Sequence, residues 1–230
     1  MDKLWYLSQI NIMDELPETD LEEIARLAPM NRTPKGTLLL TPDTPPQGLY
    51  LLKKGKVRLY KLNREGKEFT LGILGDGNIF GEVEAFATGT RNIYAEALED
   101  TLICLLSKSD FEGLMQERPQ LALKMIRVLS ERLSEAEEML ESLAYGSVQK
   151  RLLYLLSKLG QNFGEPHGDY IRLNISLSHQ DLAAMIGATR ETVSATIAEM
   201  VRKGLIKKSR FRKIISIHPE KVQKAMDMQP

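Results

Sequence analysis

From Arg118 to Tyr145 the chain reads RPQLALKMIRVLSERLSEAEEMLESLAY, and after Pro119 no glycine or proline interrupts it until Gly146. A proline's missing N–H costs nothing in the first turn of a helix, so the stretch predicts one long helix. Within it Ala122, Ile126, Leu129, Leu133, Ala136, Leu140 and Leu143 recur at alternating steps of four and three, with charges such as Lys124, Arg127, Glu131, Arg132, Glu138 and Glu141 between them. A stripe only two residues per heptad wide suits one partner helix better than the broad face of a globular core. The seam therefore predicts two parallel copies zipped through Ile126, Leu129, Leu133, Ala136, Leu140 and Leu143. The alternative is a core helix within a single copy.

The seam lies in a chain of 230 residues, 43% hydrophobic and 27% charged, enough to bury a core in one large or two ordinary domains. No apolar run approaches the roughly 18 to 20 residues that span a bilayer. The opening MDKLWYLSQ lacks the basic start and apolar stretch of a secretion signal. The expectation is a cytoplasmic chain with no membrane partner. Cys104, the single cysteine, sits in the alternating stretch TLICLLS. A buried packing thiol is the favoured reading of it and a redox sensor the alternative. A lone cysteine provides no disulfide, iron–sulfur ligand set or structural zinc site.

A formal charge of zero hides a division. Met1 to Tyr145 carries 17 Lys and Arg against 24 Asp and Glu, whereas Gly146 to Pro230 carries 14 against 7. An acidic portion joined to a basic one points to nucleic acid at the basic end, where phosphate contacts supply much of the affinity.

Pattern along the chain agrees. Asp14 to Ala28 reads as a short amphipathic helix. From Gly36 to Ser107, the segments TLLLT, GLYLLKKGKVRLYKL, EFTLGIL, RNIYAEA and TLICLLS read as short strands between glycine and proline turns. Many short strands without an intervening long helix predict an antiparallel barrel or roll. Past Gly146, SVQKRLLYLLSKL predicts a helix, GQNFGEPHGD a loop and YIRLNI a strand. Two short helices start near Ser178 and Thr189, ending at Gly187 and Gly204. Joined by a tight turn they make a helix-turn-helix, followed by LIKKSRFRKIISIH as a two-stranded wing turning at Lys208 to Arg212.

A helix-turn-helix lays the N-terminal part of its second helix in the major groove of double-stranded DNA. Thr189, Arg190, Glu191, Thr192, Ser194 and Ala195 fall there. Arg190 suits guanine or a phosphate, Glu191 the cytosine amino group, and Ser194 several bases. Ser178, His179, Gln180, Arg202, Lys203, Lys207, Lys208, Arg210 and Arg212 are candidates for the DNA backbone. Near residue 81 a different pattern appears. A glycine turn opening a short helical segment, with an arginine ten residues on, builds a slot for an anion. A structural turn plus a surface arginine is the other reading of those residues. No Walker loop, nucleophile-elbow serine or metal-spaced histidine set is present, so the chain does not read as an enzyme and no catalytic or metal residues are assigned.

GNIFGEVEAF followed by TGTRN, the long helix, and LSHQDLAAMIGATRETVSATIAEMVRKGLI together resemble the Crp/Fnr superfamily of bacterial transcription regulators, nearly end to end. The resemblance implies an α+β chain: an effector-sensing antiparallel β-roll of the cyclic-nucleotide-binding type over residues 1–117, a dimerisation helix over 118–145, and a winged helix-turn-helix over 146–230. It implies a homodimer on palindromic promoter sites, with RNA polymerase as a further partner. It also implies an effector site at Gly81, Glu82, Val83, Arg91 and Asn92, for cyclic AMP or another small anionic effector. A constitutive regulator with a vestigial pocket is the alternative.

This sequence departs from the family pattern in places. Asn92 stands where cyclic AMP binders carry Ser or Thr, and Ala136 and Glu137 align with the Thr-Ser pair that contacts adenine. Ala195 replaces the usual guanine-reading arginine, leaving Glu191 and Ser194 as the readers. The four cysteines of the oxygen-sensing members are missing. No histidine precedes His167, which argues against a haem ligand in the sensor domain.

Overall fold

The computed structural model describes residues 7–14, 16–43, 48–83, 86–87, 93–209 and 214–227, with the backbone alone at 82, 83, 86 and 87. It divides into two compact units, Met1–Ser134 and Glu135–Pro230.

In the first unit helix α1 (Glu18–Leu27) buries Leu21, Ile24 and Ala25. Nine strands follow: β1 (Met30–Thr33), β2 (Leu38–Leu40), β3 (Gly48–Lys54), β4 (Val57–Leu62), β5 (Glu68–Leu74), β6 (Ile79–Val83), β7 (Phe86–Ala87), β8 (Tyr94–Ala97) and β9 (Thr101–Ser107) among the described residues. Two helices come next, α2 (Lys108–Glu117) and α3 (Pro119–Tyr145), the latter belonging to the first unit as far as Ser134 and to the second from Glu135. The strands form two antiparallel sheets, ordered β1-β9-β3-β6-β7 and β2-β8-β4-β5. This is the roll that the short alternating segments predict.

Leu52, Val57, Leu59, Phe80, Ala95 and Ile103 form one core cluster, and the Phe80 ring stacks on Tyr50 at 4.9 Å. A second cluster joins Leu49, Leu51, Ile79, Cys104 and Leu106 of the strands to α1, α2 and the start of α3. Cys104 is fully buried there, as a packing thiol would be. Arg118 anchors this side, with its Nε 3.1 Å from Asp20 and further ion pairs to Glu23 and Glu117.

Helix α3 has a second apolar face that the heptad reading leaves out. Leu121, Met125 and Val128, also three and four apart, are buried in the core of the first unit. Leu129 of the predicted seam is half-buried and packs against this same core, whereas Ile126 is 55% exposed, Leu133 61% and Leu140 66%. Leucine and isoleucine left this open at seven-residue intervals form an uncovered stripe.

One sequence expectation is corrected at Gly81. Gly81, Glu82 and Val83 do not open a short helix; they run in β6, where Gly81 pairs with Leu49, Glu82 with Ala87 and Val83 with Phe86. The glycine is needed for packing. Its φ is +111°, and a Cβ would lie 2.3 Å from the carbonyl oxygen of Gly48. Arg91 and Asn92 lie outside the described residues.

In the second unit α4 (Val148–Phe163) is capped by Ser147, whose hydroxyl accepts from the Lys150 N–H, and buries Leu152, Leu153, Leu156 and Leu159. The expected loop after it is a continuation of this helix and then a hairpin, β10 (Gly164–His167) with β11 (Tyr170–Leu173). Glycine, proline and histidine suggest a loop by composition, but Ile171 and Leu173 give the hairpin an apolar side to pack. Next come α5 (His179–Ile186), α6 (Arg190–Arg202), β12 (Ile206–Lys208), β13 (Ile215–Ile217) and α7 (Pro219–Asp227). The four strands form one antiparallel sheet ordered β10-β11-β13-β12.

Candidate nucleic-acid interface

The interface is built by local capping chemistry. Ser178 Oγ accepts from the Asp181 N–H at 3.1 Å while Asp181 accepts from the Ser178 N–H at 2.6 Å, a reciprocal box that starts α5. Gly187, at φ 62° and ψ 42°, ends that helix in the left-handed region. Two residues later Thr189 starts α6, accepting from the Thr192 N–H at 3.2 Å. A hydroxyl cap of this kind contributes about 1 kcal/mol. Leu182, Ala183 and Ile186 on α5 and Val193, Ile197 and Met200 on α6 are buried. The larger of these side chains contribute roughly 1.5–3 kcal/mol each, which fixes the two helices as a pair.

That packing turns one face of α6 outward. Thr189, Arg190, Glu191, Thr192 and Ala195 are exposed and Ser194 is half-buried. The Thr192 side chain bonds Thr189 Oγ1 at 2.8 Å, and Thr196 donates to the Thr192 carbonyl at 2.8 Å. Ser178, His179, Gln180, Arg190 and Lys208 converge, with Leu177, on an open cleft of about 460 Å³. Five of the expected contact residues thus come together, although they derive from α5, α6 and β12.

Arg202, Lys203 and Lys207 do not line this cleft. Arg202 and Lys203 are exposed at the far end of α6, which is 13 residues long and hence spans about 20 Å. Lys203 is paired there with Glu199 at 2.6 Å, an exposed contact of small energetic value. Lys207 lies over the Tyr170 ring at 3.9 Å. Arg210 and Arg212 lie outside the described residues.

One linkage has no local signal in the sequence. His179 Nδ1 is 2.6 Å from Ser194 Oγ, and its Nε2 is 2.8 Å from Lys208 Nζ. Burial, reinforced by the Lys208 and Arg190 cations, holds the His179 pKa below the ordinary histidine value. A histidine whose folded pKa is depressed contributes stability that is present above the unfolded value and lost as pH falls through the folded one. The ring is therefore neutral near pH 7.

Among the described residues no group of His, Cys, Asp and Glu could hold a metal ion, and no helix is long and apolar enough to cross a membrane.

A helix-turn-helix with an outward recognition face, a basic cleft behind it and a flanking β-ribbon defines a winged DNA-binding domain. Comparison with known proteins agrees in both units. The cyclic nucleotide-binding domain matches residues 30–118 and the Crp-like helix-turn-helix domain residues 150–225. The global nitrogen regulator of Nostoc sp. is 33% identical over 183 residues, covering 79% of this chain and 78% of the relative. The cyclic AMP receptor protein of Thermus thermophilus is 34% identical over 161 residues, covering 70% and 71%. Among solved structures, a variant of CooA from Carboxydothermus hydrogenoformans superposes with a TM-score of 0.74 at 27% identity, covering 89% of this chain and 90% of that one. The chain belongs to the Crp/Fnr family of DNA-binding transcription regulators.

Proposed function

We propose that this regulator acts in the cytoplasm as a homodimer on palindromic promoter sites, gated by a small effector in the β-roll. In this reading residues 1–117 sense, 118–145 dimerise and 146–230 bind DNA. The observation that carries it is the outward N-terminal face of α6, Arg190, Glu191 and Ser194, backed by the basic cleft of His179, Gln180 and Lys208. The uncovered stripe of Ile126, Leu133 and Leu140 supports pairing of two copies. Pairing would set two recognition helices about 34 Å apart, in successive major grooves. RNA polymerase is the partner expected of a regulator bound at a promoter.

The experiment is a gel-shift titration of promoter fragments against random DNA at physiological salt, with Arg190→Ala beside it. The chain is expected to prefer a palindromic fragment. Arg190→Ala should weaken that binding by roughly 5- to 100-fold, the value of one good base contact, and weaken random DNA less. Equal loss on both duplexes would make Arg190 a phosphate contact, and no preference by the unsubstituted chain would contradict the reading.

The name of the Thermus relative makes cyclic AMP the first effector to test, on Gly81, Glu82, Val83, Arg91 and Asn92. A second reading, effector-independent DNA binding, is favoured by one observation. The positive φ of Gly81 and its close approach to Gly48 account for that glycine without any ligand. Calorimetry with cyclic AMP and cyclic GMP separates the two. Binding abolished by Arg91→Ala supports the gated form, and no binding at all supports the second.

A further inference from the structure

A lysine ammonium donates hydrogen bonds and accepts none. At 2.8 Å from Lys208 Nζ, the His179 Nε2 must therefore be the acceptor and carry no proton. In a neutral imidazole the proton then sits on Nδ1, which donates to Ser194 Oγ at 2.6 Å. This occupies one lone pair of the Ser194 oxygen and leaves the hydroxyl hydrogen to point away from the ring. Ser194 stands half-buried on the face of α6 that carries the exposed Arg190 and Glu191.

We infer that His179 is a positioning residue that biases the polarity of Ser194, so that this hydroxyl reads DNA as a hydrogen-bond donor. The inference rests on the DNA-binding reading above and names what that site selects at one base. In the major groove a donor suits guanine O6 or N7, adenine N7 or thymine O4, and finds no partner in the cytosine amino group. Serine alone is indifferent, because a free hydroxyl rotates to donate or accept. The bond to His179 fills one of the two acceptor lone pairs and turns the O–H away from the ring, which biases the hydroxyl toward donating. The device joins three elements, since the imidazole belongs to α5, the hydroxyl to α6 and the ammonium to β12.

Among the described residues the charged groups acting on the ring are Lys208 from β12 and Arg190 from α6. On its own helix the Asp181 carboxylate is engaged by the Ser178 N–H. Acid acts on one side only. Protonation adds a hydrogen at Nε2 and drives Lys208 off, while Nδ1–H continues to donate to Ser194. The base preference at this position is therefore expected to survive acid. Affinity for random duplex should rise as the cleft gains a positive charge.

The test has two arms on the full chain. In the first, nitrogen NMR of the labelled protein without DNA reads the His179 tautomer. The expected state near neutral pH is protonated at Nδ1 alone, titrating below the ordinary histidine range. Lys208→Ala should move that titration upward, because one of the cations that oppose protonation is gone. A ring protonated at Nε2 overturns the inference.

In the second arm, duplexes are selected from a random pool by the unsubstituted chain, and then by Ser194→Ala, His179→Ala and His179→Asn. The contacted base is expected to be guanine, adenine or thymine. Ser194→Ala and His179→Ala should each relax that one position by about 5- to 10-fold, at the low end for a single base contact. The double substitution should relax it no further, as expected of residues acting as one unit. Asparagine, whose amide N–H can stand where Nδ1–H stood, should keep the preference. A cytosine at that position, or His179→Ala leaving it intact, overturns the inference. If the unsubstituted chain enriches no sequence, the DNA-binding reading fails, while the tautomer arm still decides whether His179 holds Ser194.

Discussion

Leu133→Glu is expected to leave the chain folded, convert it to a monomer and lower its affinity for a palindromic site by at least about 100-fold. Leu133 is 61% exposed and lies midway between Ile126 and Leu140, each seven residues away on the same stripe. In one copy, glutamate at this position meets water, so the fold bears little cost. In a parallel pair the two new carboxylates would face each other across an apolar seam. Burying an unpaired charge there costs several kcal/mol, and two like charges cost more. Without the pair, each winged domain binds half a site on its own, and the 10²- to 10⁴-fold gain from tethering two modules is lost. Sedimentation equilibrium, with a thermal melt as control, reads the first part and gel shift the second. A Leu133→Glu chain that remains dimeric would remove α3 as the interface.

The second large effect belongs to the roll. Gly81→Ala should destabilise the N-terminal unit by about 3 kcal/mol or more, combining a strained positive φ with a forced backbone contact. The added Cβ would sit 2.3 Å from Gly48 O and 3.1 Å from Tyr50 Cδ2. The Gly48 carbonyl has little room to yield, because β3 is held between β6 and β9 and a Cβ on Gly48 itself would lie 2.1 Å from Leu106 O. Gly66 makes a fair control, with φ +76° and nothing within 4 Å of where a Cβ would stand. Alanine there should cost about 1 kcal/mol, the conformational term alone. Urea unfolding followed by far-ultraviolet circular dichroism compares the two midpoints at constant slope. A Gly81→Ala chain that melts like the unsubstituted one but loses cyclic nucleotide binding would instead give this glycine to a ligand.

What the sequence makes legible here depends on how local the deciding forces are. Ser178, Gly187 and Thr189 declare the helix-turn-helix because each cap acts within three or four residues of itself. The spacing of Ile126, Leu133 and Leu140 is legible for the same reason, since heptad periodicity is a local property. The other face of α3, Leu121, Met125 and Val128, takes its meaning from a core assembled from strands and helices distant in sequence. Gly81 shows the limit most clearly. A glycine beside an acidic residue suggests a turn into a helix, but the neighbour that decides is Gly48, on a paired strand. The His179 bridge is of the same kind, spanning 15 residues to Ser194 and 29 to Lys208, so no window of sequence contains it.

Selection of duplexes from a fully random pool by the unsubstituted full-length chain tests the central claim most directly, because it requires DNA binding and pairing at once. The predicted product is an inverted repeat whose half-sites are centred about one helical turn apart, 10 to 10.5 base pairs. Enrichment of a lone half-site, or of nothing above the starting pool, would contradict it.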